Sequence, residues 1–271
     1  ANGVFALDHA TMGRSPIANA LSLLQACAPG ARLDLLTHSR GGLVAEVLAR
    51  VCAAPGAPAA APALDANETN LFKNAPGQAR DLAECYRLAH EKGVVIEKIV
   101  RVACPARGTL LASERLDAAI SVFRWALEQA RVPVLPELIG FLGEVARRRM
   151  APDELPGLQA MLPDSALVEW IHACPGPIPG ELRVVAGDLE GDSLGSWVKT
   201  LVADSFFWTD NDLVVQTRSM YGGGSRGVGA AARQRPATYF LARGGRISHF
   251  SYFSESTTVA AIESALLDEQ A

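Results

Sequence analysis

The stretch Arg32–Arg50, RLDLLTHSRGGLVAEVLAR, changes hydrophobic period at its midpoint. Leu33, Leu35 and Leu36 form a short apolar run without helical spacing, which predicts a strand buried on both faces. The run breaks at Thr37–Gly42. Leu43, Val44, Val47, Leu48 and Val51 then resume helical spacing. A chain with this pattern turns sharply from strand into helix, with Ser39 at the apex. That position matters chemically, because a serine hydroxyl is a weak nucleophile unless it stands clear of its sheet beside a base. The backbone N–H of Arg40 falls at the helix start, where it is free to face a developing oxyanion. Gly41 and Gly42 are expected to keep side-chain bulk away from the turn.

His38-Ser39-Arg40-Gly41-Gly42 resembles the His-Ser-x-Gly-Gly nucleophile elbow of α/β-hydrolase lipases and esterases. Thr37 departs from the family, which usually has glycine two positions before the serine, so a β-branched residue must fit there. The resemblance implies an α/β fold with a doubly wound, mostly parallel sheet of the α/β-hydrolase type, carrying a helical cap insertion. Val4–Leu7 reads as a strand and would be the fourth of that fold, with the elbow strand as the fifth. The third strand of the family ends in a His-Gly loop that supplies a second oxyanion donor, and Ala1–Val4 holds no such element. The chain therefore resembles a hydrolase domain lacking its first strands, which an upstream polypeptide segment would complete. Backbone in Thr11–Gly13 is the alternative source of the second donor.

Ser15-Pro16 reads as an N-cap followed by proline at the first helical position, opening a helix through Ile17, Leu21, Leu24 and Cys27. Ala53–Ala63 is low-complexity Ala/Pro and reads as an exposed linker. Gln78–Lys92 is predicted helical and Ile96–Val102 a strand. That strand ends at Cys104–Thr109, which resembles a Pro-His-x-Gly-Ser turn of lipases. Ala106 replaces the family histidine, so the turn is assigned a structural role. Ser113–Ile171 is mostly helical by pattern. It defines a cap at 113–174 between two parts of a core at 1–112 and 175–271. Leu182–Ala186 and Tyr239–Leu241 are further strands, with helices around Trp197–Ala203 and over Thr258–Leu267. Tyr221–Gly229, YGGGSRGVG, lacks the Lys-Ser/Thr of a phosphate loop and is expected to be mobile.

A serine of ordinary acidity needs a base, and the base needs a carboxylate to hold its tautomer; the chain order in this fold is Ser, acid, His. Of five histidines, His9 precedes the elbow, His38 adjoins it, and His90 and His172 fall in helical stretches. His249, after the last strand, remains. Asp188, Asp192, Asp204, Asp210 and Asp212 all lie in the interval for the acid. The run from Asp210 to Val215 resembles the Asp-Gly-x-Val turn of bacterial lipases. With the following Val215-Gln216-Thr217-Arg218-Ser219 it also resembles the acid turn of lecithin–cholesterol acyltransferases. On that register Asp212 is the acid, with Asp210 and Asp188 as alternatives.

The resemblance implies a serine hydrolase acting on a small-molecule ester or lipid-like acyl substrate. Ser39 would be the nucleophile, His249 the base, Asp212 the orienting acid and the Arg40 N–H an oxyanion donor. An acyltransferase or thioesterase would use the same groups, and a non-catalytic hydrolase-like binding module is the alternative from another class. Neither zinc-ligand spacing nor a dinucleotide fingerprint is present, so no metal or cofactor is implied. A net charge of −4 argues against nucleic acid, and no apolar run nears the roughly 18 residues of a membrane span. Cys27, Cys52, Cys85, Cys104 and Cys174 are odd in number and scattered. They read as free thiols, a usage that leans toward the cytoplasm.

Overall fold

The computed structural model describes residues 3–11, 13–53, 64–109, 156–174, 176–189, 210–212, 214–226 and 237–267. Its centre is a four-stranded, all-parallel sheet in the order β1-β2-β3-β4, formed by Arg32–His38, Val95–Val102, Glu181–Asp188 and Thr238–Arg243. Parallel neighbours need long crossovers. Between β1 and β2 run α2 (Gly41–Ala53), α3 (Ala66–Leu71) and α4 (Pro76–Lys92). Before the sheet stands α1 (Pro16–Ala26). Ser15 caps it by accepting from the Ala18 N–H at 3.1 Å, and Pro16 sits in the first turn, as the sequence indicates. Later in the chain come α5 (Pro156–Gln159), α6 (Ala166–His172), α7 (Thr217–Met220) and α8 (Ser256–Leu267).

β2 and β3 are buried almost throughout, since both have strand neighbours and helices over their faces. β1 differs from expectation. It is the outermost described strand on its side, its residues alternate between exposed and half-buried, and Leu36 is 45 % exposed. Val4–Leu7 also departs from the sequence reading. It forms no strand, and Val4 and Phe5 are almost wholly exposed. A short apolar run holds extended structure only when a neighbour pairs its N–H and C=O groups and covers its side chains. Among the described residues, nothing supplies either for Val4–Leu7.

The main core packs α1, α2 and α4 on one face of the sheet, with Ile17, Leu24, Leu43, Leu48 and Leu82 fully buried. A second cluster, including Val100, Val185, Tyr252 and Ile262, lies under α8. Leu158 of α5 and Leu167, Trp170 and Ile171 of α6 join the main core. The other residues assigned to a cap, 113–155, lie outside the described residues, as do the linker at 54–63 and the helix around Trp197–Ala203. All five cysteines are free. Burial pushes the Cys104 thiol up to about 12, which keeps it protonated and inert. No helix among the described residues is long and apolar enough to cross a membrane.

Candidate active site

The turn after β1 carries Ser39, the first of the predicted site residues. Ser39 has φ of 52°, in the left-handed region that a non-glycine residue rarely adopts. Two neighbours impose this. The Ser39 N–H donates to the Val102 carbonyl at 2.9 Å, continuing the sheet ladder, while α2 starts two residues later. The chain must reverse direction within one residue. Thr37, where glycine was expected, fits because its hydroxyl donates across to the Val100 carbonyl at 3.4 Å. Only one of the two glycines is needed for close packing. A Cβ on Gly42 would lie 2.5 Å from Cys104 Sγ and 2.7 Å from Arg101 Cγ, whereas Gly41 has its nearest neighbour at 3.8 Å. The Arg40 N–H donates to no acceptor among the described residues, as the first turn of a helix allows.

The structure brings Ser39, His249 and Asp212 into one hydrogen-bonded line. His249 Nε2 lies 2.8 Å from Ser39 Oγ, and Nδ1 lies 2.9 Å from Asp212 Oδ2. With Asp212 ionised, Nδ1–H donates to it and Nε2 is left to accept from the serine hydroxyl. Asp212 is fully buried, and Oδ1 accepts from the Val214 and Val215 N–H groups at 3.1 and 2.8 Å. Asp210 is exposed, and Asp188 faces Arg243 Nε at 3.8 Å rather than the histidine. Asp192 and Asp204 lie outside the described residues.

His249 is 4 % exposed and is held at its backbone too. Its N–H donates to the Asp212 carbonyl at 2.9 Å, and its own carbonyl accepts from His38 Nε2 at 2.9 Å. The His38 ring stacks obliquely on His249, with centroids 4.8 Å apart. Burial and the neighbouring His249 push His38 down to about 4, so it is neutral near pH 7 and donates through Nε2–H. The side chain of Arg40 is buried. Its Nε donates to the Gly157 carbonyl at 3.3 Å and a terminal nitrogen to the Arg14 carbonyl, which ties the elbow to α5 and to the loop before α1.

Sequence reasoning singled out neither His38 nor Tyr252, whose hydroxyl donates to Asp212 Oδ2 at 3.0 Å. Their one sequence signal is proximity to predicted site residues, since His38 adjoins Ser39 and Tyr252 follows His249 in the same turn. It also missed a buried ion cluster behind the elbow. Glu46 of α2 meets Arg101 of β2 at 2.5 Å and Arg226 at 3.3 Å, and accepts from the Gly224 N–H at 3.0 Å. Burial alone would push the Glu46 carboxyl up. Arg226, Arg101 and the Gly224 N–H outweigh it and hold the carboxyl below its usual range. This cluster corrects the expectation of a mobile glycine-rich loop over its described part, Tyr221–Arg226. Gly223, at φ of 121°, is needed where the loop crosses the ion pair, because a Cβ would lie 2.4 Å from Arg101 Nη1. Residues 227–229 lie outside the described residues.

The turn at Cys104–Thr109 has contacts suited to the structural role read from Ala106. The Arg107 N–H donates to Ser219, the Ser219 hydroxyl donates to the Gly108 carbonyl at 2.5 Å, and the Thr109 hydroxyl donates to the Val214 carbonyl at 3.1 Å. It thereby props the segment that carries Asp212.

A sequence family described as "Domain of unknown function (DUF7379)" matches residues 1–64 and 77–267. No curated protein matches the chain. Among solved structures, the chain is similar to lipase 1 from Pelosinus fermentans. The two are 15 % identical with a TM-score of 0.44, covering 86 % of this chain and 71 % of that one.

Proposed function

The chain belongs to the DUF7379 family, a domain of unknown function, and we propose that this member is a serine hydrolase of the α/β-hydrolase type that cleaves carboxylic esters. The observation that carries the proposal is the hydrogen-bonded line from Ser39 Oγ through His249 to Asp212, at 2.8 and 2.9 Å, with the serine on a strained strand-to-helix turn.

In the proposed reaction Ser39 Oγ attacks the acyl carbon while its proton passes to His249 Nε2. The carbonyl oxygen gains negative charge and is met by the Arg40 N–H at the start of α2, where the helix dipole adds to the attraction. Collapse of the tetrahedral intermediate breaks the ester C–O bond. His249 returns its proton to the departing alkoxide, leaving an acyl-serine. Water then attacks that ester, with His249 as base and then acid, and frees the carboxylic acid and Ser39. Asp212 stays ionised throughout, orienting the ring and balancing the imidazolium that forms twice in the cycle. Phe250 and Phe253 flank this line, 39 % and 50 % exposed, with ring centroids 5.4 Å from His249 and 5.5 Å from His38. Apolar rings there favour an apolar acyl group over a charged one.

The test is covalent. A fluorophosphonate probe should label the wild-type chain at Ser39, and p-nitrophenyl butyrate should be hydrolysed, both activities vanishing in Ser39→Ala. Equal labelling of the alanine variant, or no labelling of the wild type, would overturn the assignment.

A further inference from the structure

We infer that Tyr252 is a positioning residue for His249, sharing the charge of Asp212 Oδ2 with the imidazole. Both donors come from one turn, at positions 249 and 252, and both reach the same oxygen. His249 Nδ1 and the Tyr252 hydroxyl lie 2.9 and 3.0 Å from Asp212 Oδ2. Oδ1 already accepts two backbone N–H groups, so the carboxylate has four donors for about four lone-pair directions. It cannot rotate, and the charge on Oδ2 is divided between a phenol and an imidazole. The other acceptor near the phenol, Met220 Sδ at 3.9 Å, is too weak and distant to compete.

The hydroxyl is built into the fold. Tyr252 is 1 % exposed and packs among Val100, Val185 and Ile262. A Cβ on Gly187, at the end of β3, would lie 2.0 Å from its oxygen, so this approach requires glycine there. Burial, together with the charge of Asp212, pushes the phenol well above its ordinary value, so it remains an O–H donor at any working pH. Among the described residues, Asp212 and His38 face His249, and Tyr252 reaches it through Asp212. Asp188 and Tyr221 act on Tyr252 from further off, and Arg243 sits against Asp188.

Removing the phenol oxygen leaves the whole Oδ2 charge to the imidazole. The imidazolium is then better stabilised and the ring takes up its proton at higher pH. The catalytic meaning rests on the hydrolase reading, but the charge sharing does not. The test is therefore an NMR titration of the His249 ring in the wild type and in Tyr252→Phe, beside the pH dependence of kcat/KM for p-nitrophenyl butyrate. The titration midpoint should rise by about 0.5–1 pH unit in the variant, and the acidic limb of kcat/KM should rise with it. A purely structural role would lower the urea midpoint and leave the titration where it was, which would overturn the inference. A shifted titration without hydrolysis in either protein would uphold the charge sharing and sink the hydrolase reading instead. Should Tyr252→Phe not fold, 3-fluorotyrosine incorporation strengthens the donor and should move the titration down. No movement there would equally overturn the inference.

Discussion

Replacing Asp212 with asparagine exchanges one carboxylate oxygen for an amide group of nearly the same size. The amide oxygen is drawn to the Oδ1 position, because two backbone N–H groups at 3.1 and 2.8 Å point at it. The NH2 then occupies the Oδ2 position and confronts two donors, His249 Nδ1–H at 2.9 Å and the Tyr252 hydroxyl at 3.0 Å. The imidazole relieves this clash by moving its proton to Nε2, where it points at Ser39 Oγ. The ring then has nothing with which to accept the serine proton. The wrong tautomer lowers kcat by about 10^4-fold where it has been forced in a serine protease triad, and at ~1.36 kcal/mol per decade that is ~5 kcal/mol of barrier. Turnover of p-nitrophenyl butyrate measures the loss, and urea unfolding checks that the isosteric variant folds. Asp210→Asn, at an exposed position, should keep the wild-type rate. Activity of Asp212→Asn within tenfold of wild type would refute the tautomer reasoning.

His38 gives a pH signature. Its folded value, about 4, lies below its unfolded value of about 6.5, so only the unfolded chain binds the proton as pH falls between them. Stability should decline from pH 6.5 to 4 in urea titrations, with a shallower decline in His38→Gln. For Glu46, the folded carboxyl is depressed, so its contribution is complete above the ordinary glutamate range near ~4.3 and is lost as pH falls through the lower folded value. At neutral pH, Glu46→Gln strands Arg101 and Arg226 without their buried counter-charge. It should cost about 3–5 kcal/mol in chemical denaturation, and a loss under about 1 kcal/mol would show that the cluster is dispensable. Gly42→Ala drives a methyl group into Cys104 and Arg101, both fully buried. It should lower unfolding free energy by about 1–3 kcal/mol, while the roomier Gly41→Ala should lower it less.

Much of the scaffold was legible because its signals are local. The Ser15-Pro16 start of α1, the period change at the elbow and the apolar runs of β2 and β3 each lie within a few residues, where propensity and packing agree. Val4–Leu7 carries the same kind of signal and forms no strand, since an apolar run does not specify a pairing partner. The exposure of Leu36 has a related reason: a strand's composition does not say whether it is outermost, as β1 is among the described strands. Glycine content misled at Tyr221–Arg226, where close approach to Arg101 and Glu46, rather than mobility, is what glycine serves.

By itself the chain order determined that a serine would stand at a strand-to-helix turn, and it narrowed the histidine and the acid to a few candidates. Only the tertiary structure decided that His249 meets Ser39 across 210 residues, that Asp212 rather than Asp188 or Asp210 lies behind it, that Tyr252 donates to Asp212 and that His38 packs on the ring. The physical reason is range. Backbone conformation follows from neighbours a few positions away. A hydrogen bond of 2.8 Å between distant segments depends on how the whole sheet and its helices pack.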